Sequence, residues 1–155
     1  MFFGNNVNRA AYKKSNSIKY TLFQPMEDTL AYTKKLLTLV IASERQVLGQ
    51  CLLDEMSRSL SISSVQLFVH DKPQKHSLKN GKLMRKTYGT YKDGKITLSN
   101  KTAIREAVIA PKTFIDTLIH EFIHHYDYKV LKLPVSLHTA GFYYRLGDIM
   151  KKLIK

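Results

Sequence analysis

Residues 113–129 read TFIDTLIHEFIHHYDYK, and no other stretch restricts the fold of this chain as tightly. Phe114, Ile115, Leu118, Ile119, Phe122, Ile123 and Tyr126 recur at intervals of three and four, so the spacing predicts an amphipathic helix buried through the middle of a domain. Pro111 and Thr113-x-x-Asp116, a capping-box form with Asp in place of Glu, mark its start; the helix is expected from about 113 to about 129. At its centre His120-Glu121-Phe122-Ile123-His124 is an H-E-x-x-H motif. Residues four apart share a helix face, so His120 and His124 can offer two imidazoles to one metal ion with Glu121 beside them. The competing reading is a coincidental surface helix in a chain with six histidines; the grouping of the polar members on one edge argues against it.

A chain of 155 residues, 44% of them hydrophobic, is long enough for one domain with its own core. Cys51 is the single cysteine, which excludes an internal disulfide and a cysteine-based zinc ribbon; between Gln50 and Leu52 it reads as a small core residue. The longest apolar run, 36–42, is interrupted by Thr38 and falls far short of the roughly 20 residues of a membrane span. The first residues lack the apolar core of a signal peptide. The expectation is a cytoplasmic protein with no membrane partner, nucleoid-associated if the chain is bacterial.

Residues 1–24 hold Arg9, Lys13, Lys14 and Lys19 with no acid, and are rich in Asn and Ser. They are expected to form a basic, loosely ordered arm before a domain spanning 25–155. Leu30, Leu36, Leu37, Val40 and Ile41 suit a helix, and Val47, Leu48, Cys51, Leu52 and Met56 suit its continuation beyond a polar turn at 43–45; one long helix and two helices both remain open. Residues 65–69 are strand-like, and 70–82 read as a basic loop containing Pro73 and the turn signal Asn80-Gly81. Residues 83–91 and 95–98 are expected as two strands joined through Asp93-Gly94, a strong hairpin signal. Residues 100–110 are expected to form a short helix. A last helix starts at about Ala140, with Thr139 as cap and Phe142, Leu146, Ile149 and Leu153 as its apolar stripe. The expected fold class is therefore α+β: N-terminal helices, a small antiparallel sheet of about three strands, a central H-E-x-x-H helix and a C-terminal helix.

His138 lies beyond 13 intervening residues, enough for the chain to leave the motif helix and return a third imidazole at the start of the next. Catalytic zinc commonly takes three protein ligands. On spacing alone His138 is either that ligand or a solvated loop histidine, and Asp127 is an alternative third ligand. The combination of the hairpin ending in residues 94–100, the segment Leu118-Ile119-His120-Glu121-Phe122-Ile123-His124, and His138-x-x-Gly141-Phe142 on a terminal helix resembles the SprT-like zinc metalloproteases, the group that includes the Spartan proteases. The resemblance covers roughly residues 44–155. It implies a zincin-like domain, one Zn2+ per chain held by His120, His124 and His138, and Glu121 as the catalytic acid and base of an endopeptidase that uses a zinc-bound water. Tyr143 and Tyr144, close behind His138, are candidate donors to the developing oxyanion. Asp116, Asp127 and Asp148 are candidate acceptors that orient the ligands, and His125, about 100° around the helix from His124, reads as their neighbour or as surface.

Charge is the other signal. The chain has 25 Lys and Arg against 12 Asp and Glu, a net +13, and residues 71–101 alone hold nine of the cations. Lys82, Arg85, Lys86, Lys92 and Lys95 border the expected hairpin, with Tyr88 and Tyr91 interleaved, a pattern suited to non-sequence-specific contact with DNA; the plain alternative is a solvated lysine-rich face. Two functions follow. The first is a zinc metallopeptidase acting on protein or peptide substrates, including proteins bound or crosslinked to DNA; the second is a non-catalytic nucleic-acid-binding protein with a structural metal. Glu121 favours the first, because a structural site has no need of a carboxylate there.

Overall fold

The computed structural model describes residues 6–80 and 82–154, excepting the side chains at 76, 78 and 82–87. The chain is α+β, with helices α1 (Asn6–Ser17), α2 (Glu27–Leu36) and α3 (Ala42–Ser59), strands β1 (Gln66–Pro73), β2 (Lys75–Lys79), β3 (Lys82–Thr87), β4 (Gly89–Lys92) and β5 (Lys95–Lys101), then helices α4 (Pro111–Lys129) and α5 (Ala140–Leu153).

The main sheet has the order β1-β5-β4 and is mixed, not antiparallel as expected: β5 runs parallel to β1 and antiparallel to β4. The β4–β5 hairpin matches its signal, since Asp93 and Gly94 adopt φ of 51° and 74° between the paired Lys92 and Lys95, the positive angles that a two-residue turn requires. The stretch expected as one strand over 83–91 is instead divided. Residues 82–87 pair with β2 in a separate two-stranded sheet, turning at Asn80, and 89–92 join the main sheet. The basic loop expected at 70–82 is thus mostly strand, and the sequence hides it because apolar and polar residues do not alternate along Lys75–Lys79.

One face of the main sheet presents Leu67, Val69, Ile96 and Leu98, all buried. Helix α3 covers it at β1 and α4 covers it at β4 and β5. Two glycines allow the close approach. A Cβ on Gly49 would stand 2.5 Å from Leu67 Cδ2, and one on Gly89 would collide with Leu98 and crowd Thr117. Phe114, Ile115, Leu118, Ile119, Phe122 and Ile123 of α4 are buried as their spacing requires, and α5 adds Phe142, Leu146, Ile149 and Leu153.

The helices start and stop for local reasons. Helix α4 begins one turn earlier than the capping-box form suggested: Ala110 is its N-cap and Pro111 its first residue, a position where the missing proline N–H costs nothing and the fixed φ suits the helix. Helix α5 is capped as expected, with Phe142 N donating to Thr139 Oγ1 at 3.0 Å. Helices α2 and α3 are separate, but the break lies at 37–41 and not at 43–45. The reason is Arg45. Its guanidinium is fully buried, donating to the carbonyls of Leu39 and Ile109 and to Asn100 Oδ1 at 2.6–3.0 Å, with the Phe114 ring 4.8 Å from its carbon. A cation that gathers acceptors from three segments reads in sequence as a turn residue, yet here it locks the α2–α3 loop to the chain entering α4. Residues 100–110, expected as a helix, hold none: Asn100 and Lys101 end β5, a turn at 103–105 follows, and Val108 bridges back to Lys101; Thr102 N donates to Ala107 O and Ile109 N to Asn100 O.

Within the stretch expected as a loosely ordered arm, Asn6–Ser17 is helix α1, packed on α5. Its partner is distant in sequence. Arg145 of α5 donates to the carbonyls of Ser15 and Ile18, each at 2.6 Å, so the arm gains order from a buried cation 130 and 127 residues away. Phe23 then buries fully, and Thr21 donates twice to Asp148. Among the described residues no helix is long and apolar enough to cross a membrane.

Candidate metal centre

Helix α4 delivers His120 and His124 on one edge, and the loop 130–138 returns His138 to them. One ligand atom from each of these three residues lies within 4.8 Å of the others; among the described residues they form the group suited to hold a metal ion. His124 Nε2 and His138 Nε2 are 3.0 Å apart. Three nitrogens at ~2.0–2.1 Å from a tetrahedral zinc stand roughly 3.3 Å from one another, so small ring rotations bring the set onto one ion. Burial pulls the His120 and His124 imidazoles down to about 4 and about 3, with His138 adding to the shift, so both are neutral near pH 7, the form a metal requires.

Phe142 is the floor beneath this cluster. Its ring centroid lies 5.0, 4.7 and 5.0 Å from those of His120, His124 and His138. The sequence shows the residue as the first member of an apolar stripe and as part of the His138-x-x-Gly141-Phe142 pattern, and its ring packs against all three imidazoles. Glu121, the residue after His120 on α4, is almost entirely buried, and burial pushes its carboxyl up to about 7. Its Oε2 accepts no hydrogen bond among the described residues. Three neutral imidazoles so placed fit a divalent metal ion, and the orphaned oxygen of Glu121 lies on the helix that supplies two of them.

No family model, curated protein or solved structure matches the chain.

The remaining expected residues separate clearly. Tyr143 lies beside the cluster, its ring 6.1 Å from His120 and 6.0 Å from His138, and it is half exposed. Tyr144 points elsewhere, under Lys19 Nζ at 5.3 Å. Asp127, the alternative third ligand, is not in the group; it is fully buried in a double hydrogen bond from Arg145 and accepts a further one from Ser136. Of the three acids expected to orient the ligands, Asp127 alone reaches a histidine, through that serine: Ser136 Oγ lies 2.7 Å from Asp127 Oδ2 and 2.8 Å from His124 Nδ1. Asp148 is taken up by Thr21 and Lys152, and Asp116 is exposed.

His125 is buried, not surface. Its Nε2 donates to Ser63 O at 2.7 Å, which leaves Nδ1 to accept from the Tyr91 hydroxyl at 2.9 Å. Tyr91 is thereby held 6.5 Å from the His124 ring and stacked 6.1 Å from Tyr128. With Ser63, His125, Tyr128, Lys92 and Lys129 it lines a 490 Å³ cleft. Lys92 and Lys95 face each other across the hairpin end. The side chains of Lys82, Arg85 and Lys86 lie outside the described residues. A second hollow of 310 Å³ on the outer side of the sheet is lined by His70, Lys72, Lys75, Thr90, Thr97 and Ser99.

Proposed function

We propose that the chain is a zinc-dependent metallopeptidase, with His120, His124 and His138 as the metal ligands and Glu121 as the acid and base. One observation carries the reading: three imidazoles from two chain segments converge within 4.8 Å, and the residue after the first of them is Glu121, whose Oε2 is buried without a partner among the described residues. A buried polar atom left unpaired costs about 1–3 kcal/mol, more when charged, so such an atom on the residue after a ligand is poised for a role outside packing. The zincin-like fold and the SprT-like resemblance are part of this proposal, supported by the motif, the later histidine and the α+β architecture.

A zinc ion held by His120, His124 and His138 would supply Lewis acidity, lowering the pKa of water towards neutrality and polarising a peptide carbonyl. Glu121 does the proton work. Its carboxylate takes a proton from the attacking water as the new C–O bond forms, then delivers it to the amide nitrogen as the C–N bond breaks and the amine leaves. Tyr143, at the open side of His120 and His138, donates from its hydroxyl to the carbonyl oxygen as charge builds there. Phe142 keeps water from beneath the imidazoles.

The net charge of +13 and the lysines at the hairpin end favour a polyanion as partner, so we read protein bound to nucleic acid as the substrate class. The competing function, a nucleic-acid-binding protein whose metal only joins helices, gives Glu121 nothing to do. The test is Glu121→Gln in the zinc-loaded chain, with and without DNA. The variant is expected to keep its zinc and to cleave an unfolded test protein on the order of 10²-fold more slowly or less. Equal cleavage by parent and variant would overturn the role of Glu121, and a zinc-loaded parent that cleaves nothing would favour the structural metal.

A further inference from the structure

Ser136 holds two hydrogen bonds that together dictate the state of a metal ligand. Its hydroxyl has one proton. Asp127 is locked by Arg145, Nε to Oδ1 at 3.2 Å and Nη2 to Oδ2 at 3.1 Å, with both side chains fully buried. A carboxylate held by a guanidinium is an acceptor only, so the Ser136 proton goes to Asp127 Oδ2 at 2.7 Å. The serine oxygen then has only lone pairs to offer His124 Nδ1 at 2.8 Å, and that nitrogen must bear the hydrogen. A neutral imidazole carries one proton, so Nε2, the atom facing His138 Nε2, is left with its lone pair free.

We propose that Ser136 is a positioning residue for the metal centre: backed by Asp127 and Arg145, it fixes His124 in the Nδ1–H tautomer and aims Nε2 at the ion. The inference rests on the metal reading above and names what holds one ligand in its binding form. The relay reaches further than a lone carboxylate beside a histidine. Arg145 is also bonded to Ser15 O, Ser15 Oγ and Ile18 O, so the acceptor that orders Ser136 is itself held by the end of helix α1. Ser136 N donates to Tyr128 Oη at 3.3 Å, which keeps the serine backbone over helix α4. The main chain is therefore restrained on one side of the hydroxyl and its acceptor on the other.

The experiment uses the full chain, parent, Ser136→Ala and Ser136→Thr. Long-range proton–nitrogen spectra of the metal-free chains report the His124 tautomer directly, and chelator competition reports zinc affinity. The parent is expected to show His124 protonated at Nδ1 alone. Ser136→Ala should shift it towards Nε2–H and weaken zinc binding by about 10–100-fold, the usual effect of losing a partner of a metal-bound histidine. Ser136→Thr, which keeps the hydroxyl, should restore both. Melting curves of the metal-free chains separate this from a loss of fold, since Ser136 is only partly buried in a loop. An Ala variant with the parent's tautomer and the parent's zinc affinity would overturn this inference alone. A parent that takes no zinc would overturn the metal reading and this inference with it.

Discussion

Tyr143 and Tyr144 are adjacent in sequence and equally exposed, yet a helix sends neighbours about 100° apart, and only Tyr143 faces the histidines. If its hydroxyl meets the developing oxyanion, Tyr143→Phe should lower kcat by roughly 10²-fold with little change in KM, as for other single donors of this kind. Tyr144→Phe should match the parent. Steady-state kinetics on one peptide separates the two, and an unchanged kcat for Tyr143→Phe would remove that residue from the mechanism. At this scale the sequence shows the pair His120 and His124 plainly, because a spacing of four on a helix is a local rule. His138 is undecided there, because its position depends on how the loop 130–138 is held. Ser136 gives no signal at all, since a lone loop serine acquires meaning only from Asp127 and His124 on either side of it.

Helix α1 grips the ligand loop at both ends. Lys14 Nζ donates to Leu131 O at 2.6 Å, and Ser15 Oγ lies 2.8 Å from Thr139 Oγ1, directly after His138. The approach to α5 is so close that a Cβ on Gly141 would collide with the Ser15 carbonyl. Gly141→Ala should therefore push α1 away, destabilise the chain by about 1–3 kcal/mol as overpacking does, and weaken zinc binding through the loosened loop. Melting temperature and chelator competition check this; a variant that melts and binds as the parent does would show that α1 is not a support of the centre. The glycine is visible in the sequence, but its reason is not, because the atom it must avoid is 126 positions earlier. The same distance hides α1 itself, whose composition of Asn, Ser and Lys suggests disorder until Arg145 binds its last turn. The strongly periodic α4 and α5 are legible because their burial is written in their own spacing. Strands β2 and β3 are not, because their lysine-rich ribbon pairs outside the main sheet.

For the whole molecule, the proposed function joins the cations and the histidine cluster in one activity. Lys72, Lys92 and Lys95 are exposed on and beside the main sheet. Replacing all three by Ala should weaken binding to single- and double-stranded DNA alike and flatten the salt dependence, each lost phosphate contact removing ~0.7–0.9 from the log-log slope. An unchanged slope would make this charge a solvated face. Zinc binding should be unaffected, because none of the three lies among the ligands. That independence leaves the metal centre as the claim on which the functional account stands. The most direct test is metal analysis of the zinc-titrated parent and of His138→Ala, with X-ray absorption at the zinc edge. The expected result is one zinc per parent chain with three imidazole nitrogens at about 2.0–2.1 Å, and one nitrogen fewer with markedly weaker retention in His138→Ala. A parent that retains no zinc, or a His138→Ala variant that binds it with the same affinity and coordination, would contradict it.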